Sequence, residues 1–376
     1  MRYIPTMRIC LSMIVRNESA VIERCLRSVR PFIDCWAISD TGSNDGTQDL
    51  IRRELADLPG ELIERPWIDF AHNRNEALEL AARHGDYALV IDADEILVAE
   101  AGFSWQNLGA PGYMLEFHFA NTHYRRVAMP RLDIDWCWRG VLHEALVSVR
   151  AADVEFLPGL HIHVHTDGAR SQRPVAEKFA ADADVLRRAL ADEPDNARYA
   201  FYLAQSLRDS GQLAEALIAY RRRVAMGGWA EEVYQAMLQV AVLSERCERA
   251  EAEVLAAYLL AYDFRPSRAE APCELARYCR LQKHFALGRD FAAIALEKAP
   301  TEDVLFVDYS VQTWRARDEL AVSSYWCGDY STSADLCREL LASASLPDTE
   351  RARVEANLAF ALSALGEARP QEGTSA

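Results

Sequence analysis

Short apolar runs alternate with amphipathic helical patterns over the first hundred residues. Residues 9–15, 35–39 and 87–90 are almost entirely apolar, and a weaker run surrounds Leu62 and Ile63. Continuous apolar runs of this length are typical of buried parallel strands. The segment after the first run carries one apolar stripe at helical spacing, formed by Val21, Ile22, Cys25, Leu26 and Val29. We therefore predict four strand-and-helix units and a mostly parallel, doubly wound α/β sheet.

Aromatic and alternating segments follow between residues 102 and 166. One face of a predicted strand carries Tyr113, Leu115, Phe117 and Phe119. We expect an antiparallel extension of the sheet that closes one side of a pocket.

Three histidines alternate at the end of this region. If His161, His163 and His165 lie on one strand, their imidazoles share a face and could supply a metal ligand. Surface histidines without a ligand are the alternative.

Helical patterns fill the chain from about residue 175 onward. Small and apolar positions recur in two sets, Leu203, Ala204, Ala216 and Tyr220, then Leu275, Ala276, Gly288, Ala292, Ala295 and Pro300. The recurrence favours tetratricopeptide-like helical hairpins over the alternative, an ordinary helical bundle. We therefore divide the chain into an α/β domain over residues 1–172 and an all-α repeat domain over residues 173–376.

The amino-acid composition limits the kinds of molecule that the protein is expected to bind. The 376 residues carry a net charge of −16 and a pI near 5.1, which argues against broad binding to nucleic acid or to an anionic membrane. The first apolar run is too short to span a bilayer, so no stable membrane insertion is expected. Nine scattered cysteines lack the spacing of a zinc site and indicate reduced thiols in a cytoplasmic protein.

Polar residues follow the predicted strands where open α/β sheets bind ligands. Asp92 and Asp94 come directly after the last apolar run, where both could meet one divalent cation that holds a diphosphate; an acidic turn is the alternative. Asp40 ends the second strand and could bind a base or ribose, or only shape a turn. Residues 12–18 join a strand end to a helix start, whose free N–H groups can bind anionic atoms.

Two further segments carry candidate chemistry. Arg74 lies in a helix start rich in donors and could bind a phosphate, or else pair with Glu76 or Asp69. Glu144 follows two tryptophans, in a partly dry environment that suits a catalytic base. A salt bridge from Glu144 to Arg139 is the structural alternative.

Taken together, residues 12–18 (SMIVRNE), residues 40–47 (DTGSNDGT), residues 74–78 (RNEAL) and the pair Asp92 and Asp94 resemble, in the same order, the inverting family 2 glycosyltransferases of the GT-A fold. The resemblance covers about the first 170 residues. It implies a nucleotide-sugar site made by Ser12, Glu18, Asp40, Arg74, Asn75 and Asp92.

By the same resemblance, Asp94 holds Mn²⁺ or Mg²⁺, with His165 as the favoured further ligand and His163 as second choice. Glu144 is implied as the base, although many members carry an acid followed by Asp where this chain has His143 and Glu144.

The expected function is metal-dependent, inverting transfer of a hexose or N-acetylhexosamine from a nucleotide sugar, with UDP favoured by the resemblance. The helical region suggests a peptide or protein acceptor, modified on Ser, Thr or Cys, and could also support a homodimer. The alternatives are a lipid or polysaccharide acceptor, a non-catalytic nucleotide-binding scaffold, and a metal-dependent hydrolase that uses His161, His163 and His165.

Overall fold

The structure is a computed structural model that describes residues 7–105, 108–148, 150, 153–172 and 174–366. The chain divides into two compact units, Met1–Ala219 and Tyr220–Ala376. The change from strands to helices occurs near residue 172, but the first unit also contains the helices over residues 175–192 and 197–209. The first unit is therefore an α/β region with helices of its own.

A four-stranded parallel sheet forms the centre of the first unit. Its elements are β1 (Ile9–Val15), α1 (Ile22–Val29), β2 (Cys35–Asp40), α2 (Thr47–Glu54), β3 (Gly60–Glu64), α3 (Phe70–Ala81) and β4 (Tyr87–Val90), and the strand order is β3-β2-β1-β4. Every residue of β2 and β4 is buried. The predicted α/β class is confirmed. Because the strands are parallel, the loops after β1, β2 and β4 meet at one edge of the sheet.

A second sheet follows instead of the antiparallel extension that the sequence suggested. Within the first unit its strands are β5 (Ile96–Ala99), β6 (Gly112–Phe119), β7 (Thr122–Pro130) and β10 (Glu155–His163), in the order β7-β6-β10-β5. The sheet is mixed, because β10 lies parallel to β6 and antiparallel to β5. A single bridge between Tyr87 and Arg131 links it to β4. A small hairpin of β8 (Cys137–Arg139) and β9 (Ala145–Val147) completes the strands that the structure describes in this unit.

Helices make up nearly all of the remaining chain. They are α4 (Val175–Asp192), α5 (Ala197–Asp209), α6 (Leu213–Met226), α7 (Ala230–Arg246), α8 (Glu251–Phe264), α9 (Glu270–Leu281), α10 (Phe285–Leu296), α11 (Ala316–Trp326), α12 (Tyr330–Ala342) and α13 (Asp348–Ala364). A short strand, β11 (Val307–Asp308), and one π-helical turn (Val311–Arg315) interrupt them.

Consecutive helices from α7 to α13 pack against each other, as expected for stacked helical hairpins. A Cβ added at Gly288 would lie 3.0 Å from Ser323 Oγ and 3.3 Å from the Ala276 carbonyl oxygen. The small residues that recur in the sequence therefore allow close approach of α9, α10 and α11. In the part of the chain that the structure describes, no helix combines the length and apolar character needed to cross a bilayer.

Candidate functional site

The loops after β1 and β2 are tied together at the sheet edge. The Asn17 N–H donates to Ser43 Oγ (2.8 Å), the Asn44 N–H donates to Asn17 Oδ1 (2.9 Å), and the Glu18 N–H donates to Thr47 Oγ1 (2.9 Å). Asn17 has a φ of 58°, a left-handed conformation that asparagine tolerates better than most residues. These contacts give the two loops one fixed arrangement.

Asp40 is fully buried at the end of β2. Its Oδ1 accepts hydrogen bonds from the N–H groups of Gly42 (2.9 Å) and Ser43 (2.8 Å), whereas its buried Oδ2 has no hydrogen-bond partner among the described residues. Gly42 has a φ of 106°, which a residue with a Cβ rarely adopts. One oxygen of Asp40 therefore shapes the turn, and the other remains an acceptor for a donor.

Two adjoining cavities lie at this edge, with volumes of about 530 Å³ and about 360 Å³. The larger cavity is lined by the β1 loop together with Thr41, Trp67 and Phe70. The smaller cavity is lined by the β4 loop and by six residues of the segment 164–171. Residues that line both are Ile14, Glu18, Phe70 and Arg170. Each volume falls within the range of small-molecule sites.

Five carboxylates line the smaller cavity: Glu18, Asp92, Asp94, Glu95 and Glu144. Burial and the charge of Asp92 raise the pKa of Asp94. Burial, with a further contribution from the charge of Asp94, raises the pKa of Glu18 to about 7. Burial and the charge of Asp92 raise the pKa of Glu95 to about 8, and Glu95 Oε2 accepts the Asp92 N–H (2.9 Å). Raised pKa values of neighbouring acids indicate a strongly negative field, which a cation would relieve.

The donor set around Asp94 fits a divalent cation. Asp94 and His165 line the same cavity, and Glu18 lies beside them. A Cβ at Gly168 would lie 2.9 Å from Asp94 Oδ2 and 3.1 Å from Glu18 Oε2, so only glycine leaves these carboxylates their present space. Among the described residues, groups of three ligand atoms from His, Cys, Asp or Glu that lie within 4.8 Å of one another occur on the second sheet, but not at Asp94. A cation at Asp94 would therefore need further oxygen ligands from a bound molecule or water, as Mg²⁺ commonly does.

Arg74 joins two carboxylates from distant parts of the chain. It donates from Nη2 to Asp92 Oδ1 (2.7 Å) and from Nε to Glu144 Oε1 (2.5 Å). Burial opposes the charge of Asp92, but Arg74, and to a lesser degree Arg126, lower the pKa of Asp92 below its usual value. The sequence suggested Glu76 or Asp69 as the partner of Arg74, and Arg139 as the partner of Glu144. In the structure, Arg74 instead pairs with both Asp92 and Glu144.

Asn75 supports Arg74 instead of lining either cavity. Its Oδ1 accepts the Trp138 N–H (2.8 Å) and its Nδ2 donates to the Trp138 carbonyl oxygen (3.1 Å). The guanidinium of Arg74 lies 5.2 Å from the centre of the Trp138 ring, within cation–π range. Asn75 thus fixes the strand β8 that packs against Arg74.

The loop that carries Glu144 rests on α5. His143 has a φ of 50°, its ring stacks on Tyr202 with 4.0 Å between centres, and its carbonyl oxygen accepts from Arg198 Nε (2.9 Å). Desolvation in the pocket, followed by the charges of Arg170 and Arg198, lowers the pKa of His143 to about 3. His143 is therefore neutral near pH 7, and α5 determines the position of Glu144.

The structure brings some of the candidate residues together and separates others. The smaller cavity contains Glu18, Arg74, Asp92, Asp94, Glu144 and His165. Four other candidates do not line either cavity: Ser12, Asp40, Asn75 and His163. Ser12 is 3% exposed within β1. His163 ends β10, and its Nε2 lies 3.1 Å from His161 Nε2, in a cluster on the second sheet. His165 lies beyond the strand end, so the three histidines do not share one face.

Sequence reasoning missed the cationic residues of the smaller cavity. Arg126 lies 3.4 Å from Glu95 Oε1 and 3.9 Å from Asp92 Oδ2, and its guanidinium lies 4.2 Å from the Phe117 ring centre. Arg170 and Lys178 also line this cavity. Arg170 and Lys178 follow His165 closely in the sequence, which could have indicated that they line the same cavity. Arg126 is far from His165 in the sequence and reaches the cavity because it lies on β7 of the second sheet.

A parallel α/β sheet with paired acids at its carboxyl edge, beside two cavities and several cationic side chains, is typical of nucleotide-binding enzyme domains. Residues 10–100 match the family model described as glycosyl transferase family 2. The N-terminal part of the chain therefore contains a domain of that glycosyltransferase family.

Two curated relatives and one solved structure illustrate the similarity. A TPR repeat-containing protein of Synechococcus elongatus is 40% identical over 95 residues, 25% of this chain and 22% of that protein. The SPbeta prophage-derived glycosyltransferase SunS of Bacillus subtilis is 24% identical over 216 residues, 54% of this chain and 50% of that protein. The chain thus spans half or less of these relatives. A tetratricopeptide repeat protein from Parabacteroides merdae aligns with a TM-score of 0.39 and 17% identity, over 51% of this chain and 68% of that one.

Proposed function

We propose that the protein transfers a hexose or N-acetylhexosamine from a nucleotide sugar, with UDP as the nucleotide, to a peptide or protein acceptor. The observation that carries the proposal is the meeting of Asp92, Asp94 and His165 with the pair of Arg74 and Glu144 in one cavity. The family match over residues 10–100 supports the same reaction class.

The donor occupies the two adjoining cavities. The larger cavity, between the β1 loop and Trp67, has room for a base and ribose, and Asp40 directly precedes Thr41, which lines it. Arg170 lines both cavities and therefore suits the diphosphate between them. Mn²⁺ or Mg²⁺, held by Asp94 and His165, would stabilise the charge of the departing nucleoside diphosphate.

Glu144 is the proposed base. Its carboxylate takes the proton of an acceptor hydroxyl or thiol while the oxygen or sulfur attacks the anomeric carbon and the bond to the diphosphate breaks. A single displacement inverts the configuration. Arg74 holds Glu144 and Asp92 at a fixed separation, so base and donor are oriented by the same side chain.

A peptide or protein acceptor is supported by the stacked helices of the second unit, because arrays of helical hairpins make extended binding surfaces. The acceptor residue is Ser, Thr or Cys in this proposal. A homodimer through the helical region remains a prediction that sedimentation of the full chain would test.

Calorimetric titration tests whether the protein binds a nucleotide-sugar donor and whether this binding needs a metal ion. UDP, GDP, UDP-glucose and UDP-N-acetylglucosamine are titrated into the full chain with Mn²⁺ and with EDTA. We expect UDP-type ligands to bind only with the cation, and Asp94→Asn to lose that dependence. Asp49→Asn is the matched control, because the Asp49 side chain is 88% exposed on α2. UDP binding that is equal in EDTA, or unchanged in Asp94→Asn, would contradict the metal assignment.

An assay of sugar transfer tests the role of Glu144 and the class of acceptor. Glu144→Gln should bind donor normally and lose at least about 100-fold in transfer, within the usual range for a general base. Glu100→Gln, an exposed carboxylate after β5, is the control. Full transfer by Glu144→Gln would exclude Glu144 as the base, and transfer only to lipid or polysaccharide acceptors would exclude the peptide assignment.

A further inference from the structure

A cluster of histidines covers the outer face of the second sheet. Strand register places His118 opposite His123 on β7 and opposite His163 on β10, and places Glu116 opposite His161. The alternate residues of β6, Leu115 and Phe117, are fully buried on the inner face. Four of the nine histidines of the chain therefore lie on one face of three adjacent strands.

The imidazoles of this cluster are in direct contact. His161 Nε2 and His163 Nε2 are 3.1 Å apart, and the His118 ring stacks on His161 with 4.4 Å between centres. His123 stacks on the other side of His118 at 3.8 Å. The three nitrogens of His118, His161 and His163 lie within 4.8 Å of one another.

These separations suit one transition-metal ion. Zn²⁺ binds imidazole nitrogen at about 2.0–2.1 Å, so two ligand nitrogens of a tetrahedral site are about 3.4 Å apart. The 3.1 Å between His161 and His163 is close to that value. A neutral imidazole nitrogen can donate its lone pair to a metal ion. Imidazole ligands favour Zn²⁺ over Mg²⁺ or Ca²⁺, which prefer oxygen.

A carboxylate stands beside the histidines. Glu116 Oε2 lies 3.0 Å from His118 Nε2 and 4.0 Å from His123 Nδ1, while its Oε1 accepts from Arg125 Nε (3.3 Å). Metal-binding histidines commonly contact a carboxylate that orients the ring. Glu116 supplies such a contact to His118, and Arg125 keeps Glu116 in place.

We propose that His118, His161 and His163 form a zinc site on the outer face of the second sheet, separate from the cavity that contains Asp94. Glu116 orients His118, and a water completes the coordination. The ion joins β6 to β10, whose pairing shifts register between Phe156 and His161. Because His163 ends β10, the site anchors the strand from which the chain continues to His165.

Zinc binding to the full chain tests the proposal without any nucleotide. The protein is purified without a polyhistidine tag, stripped with a chelator and titrated with Zn²⁺ against a chromophoric competitor. We expect one strong site per chain. His161→Ala and His163→Ala should each weaken it by at least about 100-fold, since loss of an orienting partner alone costs about 10–100-fold. Co²⁺ should give the intense visible bands of a four-coordinate site, and these should vanish in both variants.

Two control variants distinguish this site from zinc binding elsewhere on the chain. Asp94→Asn and His284→Ala, which alters a histidine paired with Glu251 in the second unit, should keep the strong site. Circular dichroism of the metal-free variants verifies folding, which should be retained because His161 and His163 are on the outer face.

Several outcomes would overturn the proposal. These are absence of a strong site in the folded protein, retention of the site in the double variant of His161 and His163, and loss of the site in Asp94→Asn. Loss in His123→Ala with retention in His161→Ala would assign the ion to the other group of three, Glu116, His118 and His123, and would also overturn it. The proposed glycosyl transfer could fail without affecting any of these results.

Discussion

Replacement of Arg74 by Met removes the positive charge between Asp92 and Glu144. The side chains of Arg74 and Glu144 are each 9% exposed, and that of Asp92 is 31% exposed. Loss of one partner from a buried ion pair costs about 3–5 kcal/mol. The partial exposure of Asp92, and Arg126 at 3.9 Å from it, favour the lower end of this range. We therefore expect the first unit to lose about 3 kcal/mol of stability at pH 7.

The pH dependence tests the cause. Arg74 lowers the pKa of Asp92 in the folded state, so this contribution is fully present above the unfolded pKa of about 3.9. It disappears as the pH falls through the lower folded-state pKa, where Asp92 becomes protonated with or without Arg74. The loss caused by Arg74→Met should therefore be smaller near pH 3 than at pH 7.

Hydrogen exchange of peptides from α3 and β4 across a urea series reports the stability of this unit specifically. Arg65→Met is the matched control, because Arg65 is 47% exposed and lies 3.4 Å from Glu76, an arrangement worth at most about 1 kcal/mol. A loss below 1 kcal/mol at pH 7 in Arg74→Met, or one equal at both pH values, would refute the reasoning.

Three further predictions concern single residues. Gly168→Ala places a Cβ 2.9 Å from Asp94 Oδ2, so cation-supported UDP binding should weaken at least about tenfold while circular dichroism stays unchanged; unchanged affinity would show that the site tolerates the methyl group. Burial raises the pKa of Glu18 to about 7, which penalises its charged form, so stability should fall as the pH rises from about 4.5 through 7. Glu18→Gln should flatten that slope in thermal unfolding between pH 5 and 8, and equal slopes would contradict it. In the second unit, Arg268 is fully buried and pairs with Glu270 at 2.7 Å; Arg268→Ala should cost about 3–5 kcal/mol in urea unfolding, against less than about 1 kcal/mol for Arg289→Ala, a half-exposed control.

Local patterns in the sequence were sufficient to predict the parallel sheet and the position of the acid pair, Asp92 and Asp94. The apolar runs that form β1, β2 and β4 are buried over nearly their whole length, and strand polarity alone places Asp92 at the sheet edge. The helical region was also visible, because small residues recur where helices approach closely, as at Gly288.

Contacts between distant segments could not be predicted in the same way. Arg74 and Glu144 are 70 positions apart, and the choice of Glu144 over Glu76 depends on the hairpin that Asn75 fixes at Trp138. Alternation along residues 160–165 suggested one shared face, but the strand ends at His163, so His165 turns to another site. The second sheet was misjudged because insertion of β10 between β5 and β6 leaves no local pattern.

The double contact of Arg74 has an evolutionary consequence. Because one guanidinium pairs with both Asp92 and Glu144, the effects of changing these acids are not independent, and a double-mutant cycle between them should give a coupling energy of about 0.5–3 kcal/mol. Residues that share such a partner show epistasis: a change at one alters which residues are tolerated at the other. Among relatives, positions 74, 92 and 144 should therefore vary together, even though they belong to three separate segments of the chain.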